Sequence, residues 1–193
     1  MAERAVFLDR DGTLNEEVGF VTDVGSLRLF PWAAEAVRLI NEAGFRAIVL
    51  TNQSGIARGY LTEADIAAIH DQLRRDLQAR GARLDAIYYC PHHPEATVAA
   101  YRQQCRCRKP LPGMVEWAER EFALDLTQSY FVGDKYTDVE LAHAVGARAI
   151  LVLTGYGRAE YEAGRHLWPR PPDHVAPTLL EAVHWILRHG GRA

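Results

Sequence analysis

The sequence predicts an α/β fold, a doubly wound parallel sheet with helices on both faces. Three observations predict it. Short apolar runs recur from end to end, amphipathic helical patterns separate them, and the chemically distinctive residues fall where the runs stop. The runs cover 5–8, 47–50, 86–89, 130–132 and 149–153 and are rich in Val, Ile, Leu and Tyr. Each is too short for a helix, and several alternate too little for a strand with one wet face. They read as buried parallel strands.

The helices follow in order. Ala33, Ala36, Val37 and Ile40 share a face, and Gly44 follows as a stop. Thr62 and Asp65 form a capping-box pattern ahead of the stripe Ile66, Ile69, Leu73 and Leu77. Met114, Trp117, Ala118 and Phe122 mark a third helix. Val139, Ala142 and Val145 mark a fourth that stops at Gly146, and 179–187 carries the last. The segment 158–177, with Pro169, Pro171, Pro172 and Pro177, reads as an irregular surface excursion. No repeat, low-complexity tract or linker divides the chain, so residues 1–193 are expected to form one domain.

Composition narrows the function. Hydrophobic residues make up 48% and charged residues 24%, the balance of an ordinary globular protein. A formal net charge of −3 argues against a nucleic-acid binder that works by neutralising phosphates. No apolar stretch matches a signal peptide, and none approaches the roughly 18 residues of a membrane span. Three cysteines do not make a disulfide framework. A cytoplasmic protein without a membrane partner is expected, and as no association face is evident, a monomer.

In a doubly wound sheet the ligand lies beyond the carboxyl ends of the strands. The first strand runs into Asp9-Arg10-Asp11-Gly12-Thr13-Leu14-Asn15. Two carboxylates so close repel each other, and a divalent cation would keep both ionised; alone, the pair also fits a solvated turn. The second strand ends in Thr51-Asn52-Gln53-Ser54-Gly55, a run of small donors suited to a phosphate. Arg108 and Lys109 precede Pro110, and the fourth strand ends in Gly133-Asp134-Lys135 with Asp138 beyond it. Acid, hydroxyl, base and acid thus fall at successive strand ends.

All three cysteines lie between 90 and 107. Cys90-Pro91-His92-His93 is followed, with twelve residues intervening after His92, by Cys105-Arg106-Cys107. Three thiolates and one imidazole suit tetrahedral zinc, and spacing leaves either His92 or His93 as the imidazole. The loop has few large aliphatic residues, so a metal would order what its small core cannot.

The series Asp9-x-Asp11-x-Thr13, Thr51, Lys109 and Gly133-Asp134-x-x-x-Asp138 resembles the four motifs of the haloacid dehalogenase superfamily, in order and over nearly the whole chain. The resemblance implies that Asp9 attacks phosphorus to form an aspartyl-phosphate and that Asp11 is the general acid and base. It implies Mg²⁺ on the Asp9 and Asp134 carboxylates and the Asp11 main-chain carbonyl. Thr51 and Lys109 would stabilise the transferring phosphoryl group, and Asp138 would support the site. Lys135 reads either as a phosphate contact or as the partner of a loop carboxylate.

The strands are too closely spaced in sequence for a large inserted cap, so a capless member with loop walls is expected. With the zinc loop 90–107, the chain is similar to the D-glycero-D-manno-heptose-1,7-bisphosphate 7-phosphatase family. That likeness implies a small sugar bisphosphate as substrate, in heptose nucleotide synthesis for surface glycans such as lipopolysaccharide. It makes Cys90, His92, Cys105 and Cys107 the ligands of a closed structural zinc. It also puts substrate contacts on Gly19, Phe20, Val21, Thr22, Thr51, Asn52, Gln53, Ser54, Arg108, Lys109 and Lys135. Arg108, a planar fork of donors, suits the second phosphate.

The related histidinol-phosphate phosphatases also carry a zinc loop and Arg-Lys-Pro. Their stretch between His and Cys-x-Cys is shorter than the twelve residues here, but Glu16 or Glu17 would suit the amine of histidinol. Broad sugar-phosphate hydrolysis is a third reading. A non-catalytic phosphosugar-binding module is a fourth, and loss of the nucleophile or the acid would mark it. Both Asp9 and Asp11 are present.

Overall fold

Six parallel strands in the order β3-β2-β1-β4-β5-β6 make the sheet. They are β1 (Ala5–Leu8), β2 (Arg46–Asn52), β3 (Ala86–Cys90), β4 (Tyr130–Gly133), β5 (Arg148–Val152) and β6 (His174–Ala176). The computed structural model describes residues 2–190, so Met1 and 191–193, the two ends of the expected 1–193 unit, lie outside the described residues.

The strands are almost continuously apolar because both faces are covered. Val6 and Leu8, Ala47 and Val49, and Ile150 and Val152 point into one core. There they meet α1 (Ala33–Glu42), α3 (Glu63–Gln78) and α7 (Leu179–His189). Ala5 and Phe7, Ile48 and Leu50, and Ala149 and Leu151 point the other way. They pack on α4 (Gly113–Phe122) and α5 (Tyr136–Ala144). The period of two assigns alternate residues to separate cores.

Local signals set the helix ends. The Thr62 hydroxyl accepts from the Asp65 amide at 3.2 Å, while the Asp65 carboxylate accepts from the Thr62 amide at 2.7 Å, which starts α3. Trp117, one of the residues that mark the third helix in the sequence, is 41% exposed and lies tilted to Tyr88 with ring centroids 6.3 Å apart. The segment 158–177 is more regular than its prolines suggest. It holds most of α6 (Gly157–Gly164) and the edge strand β6. Trp168 fixes this region by stacking on Tyr136 with centroids 4.4 Å apart; Pro169, Pro171 and Pro172 lie in the turn between the two elements, and Pro177 directly follows β6. Three residues of strand are too few for periodicity to show.

β1 pairs with both β2 and β4, so the chain's direction of winding reverses between β1 and β4. Leu8 is in register with Val49 and with Val132, which brings the ends of three strands level. Between β1 and β2, and between β2 and β3, the described residues add only helices and loops, so the fold is capless. A short turn of helix, α2 (Ser54–Ala57), follows β2 directly.

Candidate active site

Asp9 emerges from β1 with its amide bonded to Val132 O at 2.9 Å, at the seam where the winding reverses. Its Oδ1 accepts from the Arg10 amide at 2.8 Å and lies 2.9 Å from Lys109 Nζ. Lys109 is 5% exposed; its ammonium also donates to Leu50 O at 2.7 Å and pairs with Asp138 Oδ1 at 2.7 Å. Burial alone would lower the Lys109 ammonium, but Asp138 and Asp9 outweigh it and hold it above its ordinary value. Asp138 sits in the first turn of α5 and accepts from the Lys135 amide at 3.3 Å. Burial pushes its carboxyl up to about 6 against the pull of Lys109.

Asp134 is fully buried beside Asp9. Burial first, then the Asp9 charge, push it up to about 8. Its Oδ2 accepts from the Tyr156 amide at 2.8 Å, while its Oδ1 is buried with no hydrogen-bond partner among the described residues. Two glycines close over it. A Cβ on Gly12, whose φ is +78°, or on Gly155 would lie 2.1 Å from Asp134 Oδ2. One oxygen from each of Asp9, Asp134 and Asp138 falls within 4.8 Å of the others. An orphaned buried carboxylate oxygen among hard donors fits a divalent cation such as Mg²⁺. Lys109 pairs with one oxygen of Asp138 and one of Asp9, while Asp134 Oδ1 has no partner among the described residues, so Asp134 is the carboxylate most open to it.

The Asp11 carboxylate points elsewhere. Its Oδ1 accepts from Arg10 Nε at 3.1 Å, Arg10 Nη2 at 2.9 Å and Asn15 Nδ2 at 2.9 Å. Its Oδ2 accepts from Arg10 Nη2 and Gln53 Nε2, each at 2.9 Å. Burial would raise Asp11, but the Arg10 charge and the bonds from Asn15, Gln53 and Arg10 bring it below its ordinary value. Arg10 itself is the largest fully buried side chain among the described residues. Behind it His70 Nε2 lies 3.3 Å from Arg10 Nη1. Burial, then the Arg10 charge, lower His70 to about 3, so the ring is neutral at physiological pH.

Of these groups, Asp9, Asp11, Gln53 and Lys109 line a cavity of about 520 Å³ together with Glu17, Gly19, Phe20, Thr51, Asn52, Ser54, Arg108, Lys135, Thr137 and Tyr156. The structure sorts the residues expected to touch substrate. Gly19 and Phe20 are on the wall, Val21 is buried in the core beneath, and Thr22 is outside the lining. Thr51 Oγ1 accepts from Gln53 Nε2 at 2.8 Å, which leaves its hydroxyl proton free to donate. Asn52 spends its amide on the Lys109 backbone, accepting from N at 3.0 Å and donating to O at 3.2 Å. Arg108 Nη1 donates to His92 O at 3.2 Å. Lys135 faces Glu17 at 3.6 Å and lies over the Tyr156 ring at 4.7 Å. A wider groove of about 1070 Å³ lies at the opposite ends of the strands, between Arg4, Arg46 and Arg148, and brings no comparable set of carboxylates together.

Beside the cavity, the four expected metal ligands converge. The sulfurs of Cys90, Cys105 and Cys107 are 3.2–3.4 Å apart, and His92 Nδ1 is 3.3 Å from Cys107 Sγ. No disulfide joins them. His93 turns away, and its Nδ1 accepts from the Glu95 amide at 3.1 Å. Burial raises the Cys90 and Cys107 thiols, and a bound metal would reverse that by favouring the thiolates. Three soft sulfurs and one imidazole can hold a tetrahedral metal ion.

Comparison with known proteins gives this geometry relatives. A family model described as HAD-hydrolase-like matches residues 106–182. A D-glycero-D-manno-heptose-1,7-bisphosphate 7-phosphatase of Thermosynechococcus vestitus is 44% identical over 98% of both chains. The chain belongs to the D-glycero-D-manno-heptose-1,7-bisphosphate 7-phosphatase family. With it the chain belongs to the HAD-type phosphatases, hydrolases of phosphoric monoesters. The family member from Escherichia coli K12, a D-glycero-beta-D-manno-heptose-1,7-bisphosphate 7-phosphatase, is 44% identical over 95% of this chain and 87% of its own. A crystal structure of the D,D-heptose 1,7-bisphosphate phosphatase from B. bronchiseptica, complexed with magnesium and phosphate, superposes with a TM-score of 0.86. It is 34% identical, covering 96% of this chain and 99% of that one.

Sequence reasoning missed Arg10, Asn15 and His70 as parts of the site. Of these, His70 is buried against the guanidinium. Its position was available as a signal, since it falls between Ile66, Ile69 and Leu73 on the apolar face of α3.

Proposed function

We propose that this protein removes the 7-phosphate of D-glycero-D-manno-heptose 1,7-bisphosphate through an aspartyl-phosphate on Asp9. The observation that carries this reading is the setting of the Asp9 carboxylate. The Arg10 amide and the Lys109 ammonium both hold Oδ1, which leaves Oδ2 for attack at the floor of a cavity large enough for a sugar phosphate. The likeness to 7-phosphatases from end to end supplies the substrate class.

Asp9 attacks phosphorus, and the bond from phosphorus to the sugar oxygen breaks as the new one forms. The charge of the incoming phosphate favours protonation of Asp11, which gives that proton to the departing oxygen, then takes one from the water that cleaves the acyl phosphate and frees Asp9. Lys109 offsets the charge shared by Asp9 and the phosphoryl group, and Thr51 donates its hydroxyl proton to a phosphoryl oxygen. The Asp9 and Asp134 carboxylates and the Asp11 carbonyl would hold Mg²⁺, which when bound would offset the charge of the two anions that must meet. Arg108 and Lys135 take the second phosphate at the mouth. Glu17 is already engaged with Lys135, which leaves it a poor seat for an amine and disfavours histidinol phosphate.

Cys90, His92, Cys105 and Cys107 would hold a structural zinc with no open position for chemistry. We take 1–193 as one monomeric catalytic unit acting in the cytoplasm. Among the described residues no helix is long and apolar enough to cross a membrane.

The test is phosphate release with Mg²⁺ from both anomers of the heptose bisphosphate, beside histidinol phosphate. Preference for a bisphosphate, reduced to background in Asp9→Asn, is expected. Preference for histidinol phosphate would overturn the substrate while keeping the nucleophile.

A further inference from the structure

A fully buried arginine with no exposed surface is costly unless every donor is answered, and Arg10 is answered mainly by one carboxylate. Nε and Nη2 make three contacts with Asp11 at 2.9–3.1 Å. Nη2 also reaches Gln53 Oε1 at 3.2 Å, and Nη1 faces His70 Nε2 at 3.3 Å. The planar fork therefore has a floor (His70), a side wall (Gln53) and one partner.

The backbone of the turn is closed by the Arg10 carbonyl, which accepts the amides of Thr13, Leu14 and Asn15. The side chain reaches away from that carbonyl, and its geometry points to Asp11. A carboxylate on a short side chain at a strand end has several staggered positions. A bidentate guanidinium seated on a helix removes all but one.

We propose that Arg10, seated on His70 of α3, is the positioning residue for Asp11, holding its carboxylate in the one orientation from which it exchanges a proton with the leaving oxygen. This rests on the reading of Asp11 as general acid. Misplacement by about 1 Å can cost about 10²-fold in rate, comparable with the lower range of what general acid catalysis supplies.

Leaving-group chemistry separates this role from support of the fold. A sugar alkoxide needs a proton as it departs, whereas p-nitrophenolate leaves without one. The parameter to compare is kcat/KM, which covers the steps through formation of the aspartyl-phosphate. Arg10→Lys keeps the charge but loses the fork, and it is expected to lower kcat/KM for heptose bisphosphate about 10²-fold. The loss on p-nitrophenyl phosphate should be at least about tenfold smaller, and Asp11→Asn should show the same selectivity. Equal losses on the two esters, or no loss, would overturn the positioning role.

Should Arg10→Lys fail to fold, His70→Leu removes the seat and leaves the guanidinium in place. A selective loss of about tenfold on the heptose ester supports the proposal, and a uniform loss or none rejects it. The failures are distinguishable. If wild-type protein with Mg²⁺ cleaves neither ester, the function falls and takes this inference with it. If wild type and Asp11→Asn behave as stated while the Arg10 and His70 variants are unselective, only the positioning role falls.

Discussion

At the scale of single residues, Arg10 and Asp11 answer each other's charge, and His70 is the neutral group beside that pair. Arg10, Asp11 and Arg74 supply the charges around it, and the Tyr89 ring meets it edge-on. Its folded value of about 3 lies below the ordinary 6.5, so folding favours the neutral ring. That contribution is complete above about pH 6.5 and is lost as pH falls toward about 3. At pH 5 it amounts to about 2 kcal/mol of lost stability. Denaturant unfolding at pH 7 and pH 5 should show wild type losing about 2 kcal/mol more than His70→Asn over that interval. Equal losses would show that the ring is not held neutral. Asp9, Thr51, Lys109 and Asp134 were legible because each is a chemically distinctive residue directly beside a strand end or a proline. Arg10 was not, because a charged residue between two aspartates looks solvated until the sheet closes over it.

At the scale of elements, α3 connects the sheet to the site, because it carries both the Thr62 cap and His70. Thr62→Ala removes one side of the capping box, and a stability loss of about 1 kcal/mol is expected in urea unfolding. With kcat unchanged, the cap would be a stability element only; a large fall in kcat would mean that α3 transmits its frayed end to His70. Five strands were legible as short apolar runs and five helices by their period. β6 and α6 were hidden by prolines that lie in the turn between them and directly after β6. The wall loop was legible only in part. Gly19 and Phe20 reach the cavity while Val21 turns into the core, and a four-residue loop has no period that separates the two.

At the scale of the molecule, the cysteine loop leads from the end of β3 to the start of α4 and carries Arg108 and Lys109 next to its last ligand. One zinc ion per chain is expected in a thiol-release assay with a chromogenic chelator. Stripping it should lower the melting temperature and raise KM, because the loop that presents Arg108 loses its anchor. An unchanged melting temperature after metal loss would show that the loop holds itself.

The sheet also divides the interior into two compartments that share strands but no side chains. Val6 and Leu8 belong to one, Ala5 and Phe7 to the other, and the metal-ligand cysteines lie wholly in the second. A volume change on the α1, α3 and α7 side is thus insulated from the cysteine side by a layer of backbone. Volume changes confined to the α1 and α7 part of the first compartment, away from His70, should therefore leave the spacing of the cysteine sulfurs unchanged.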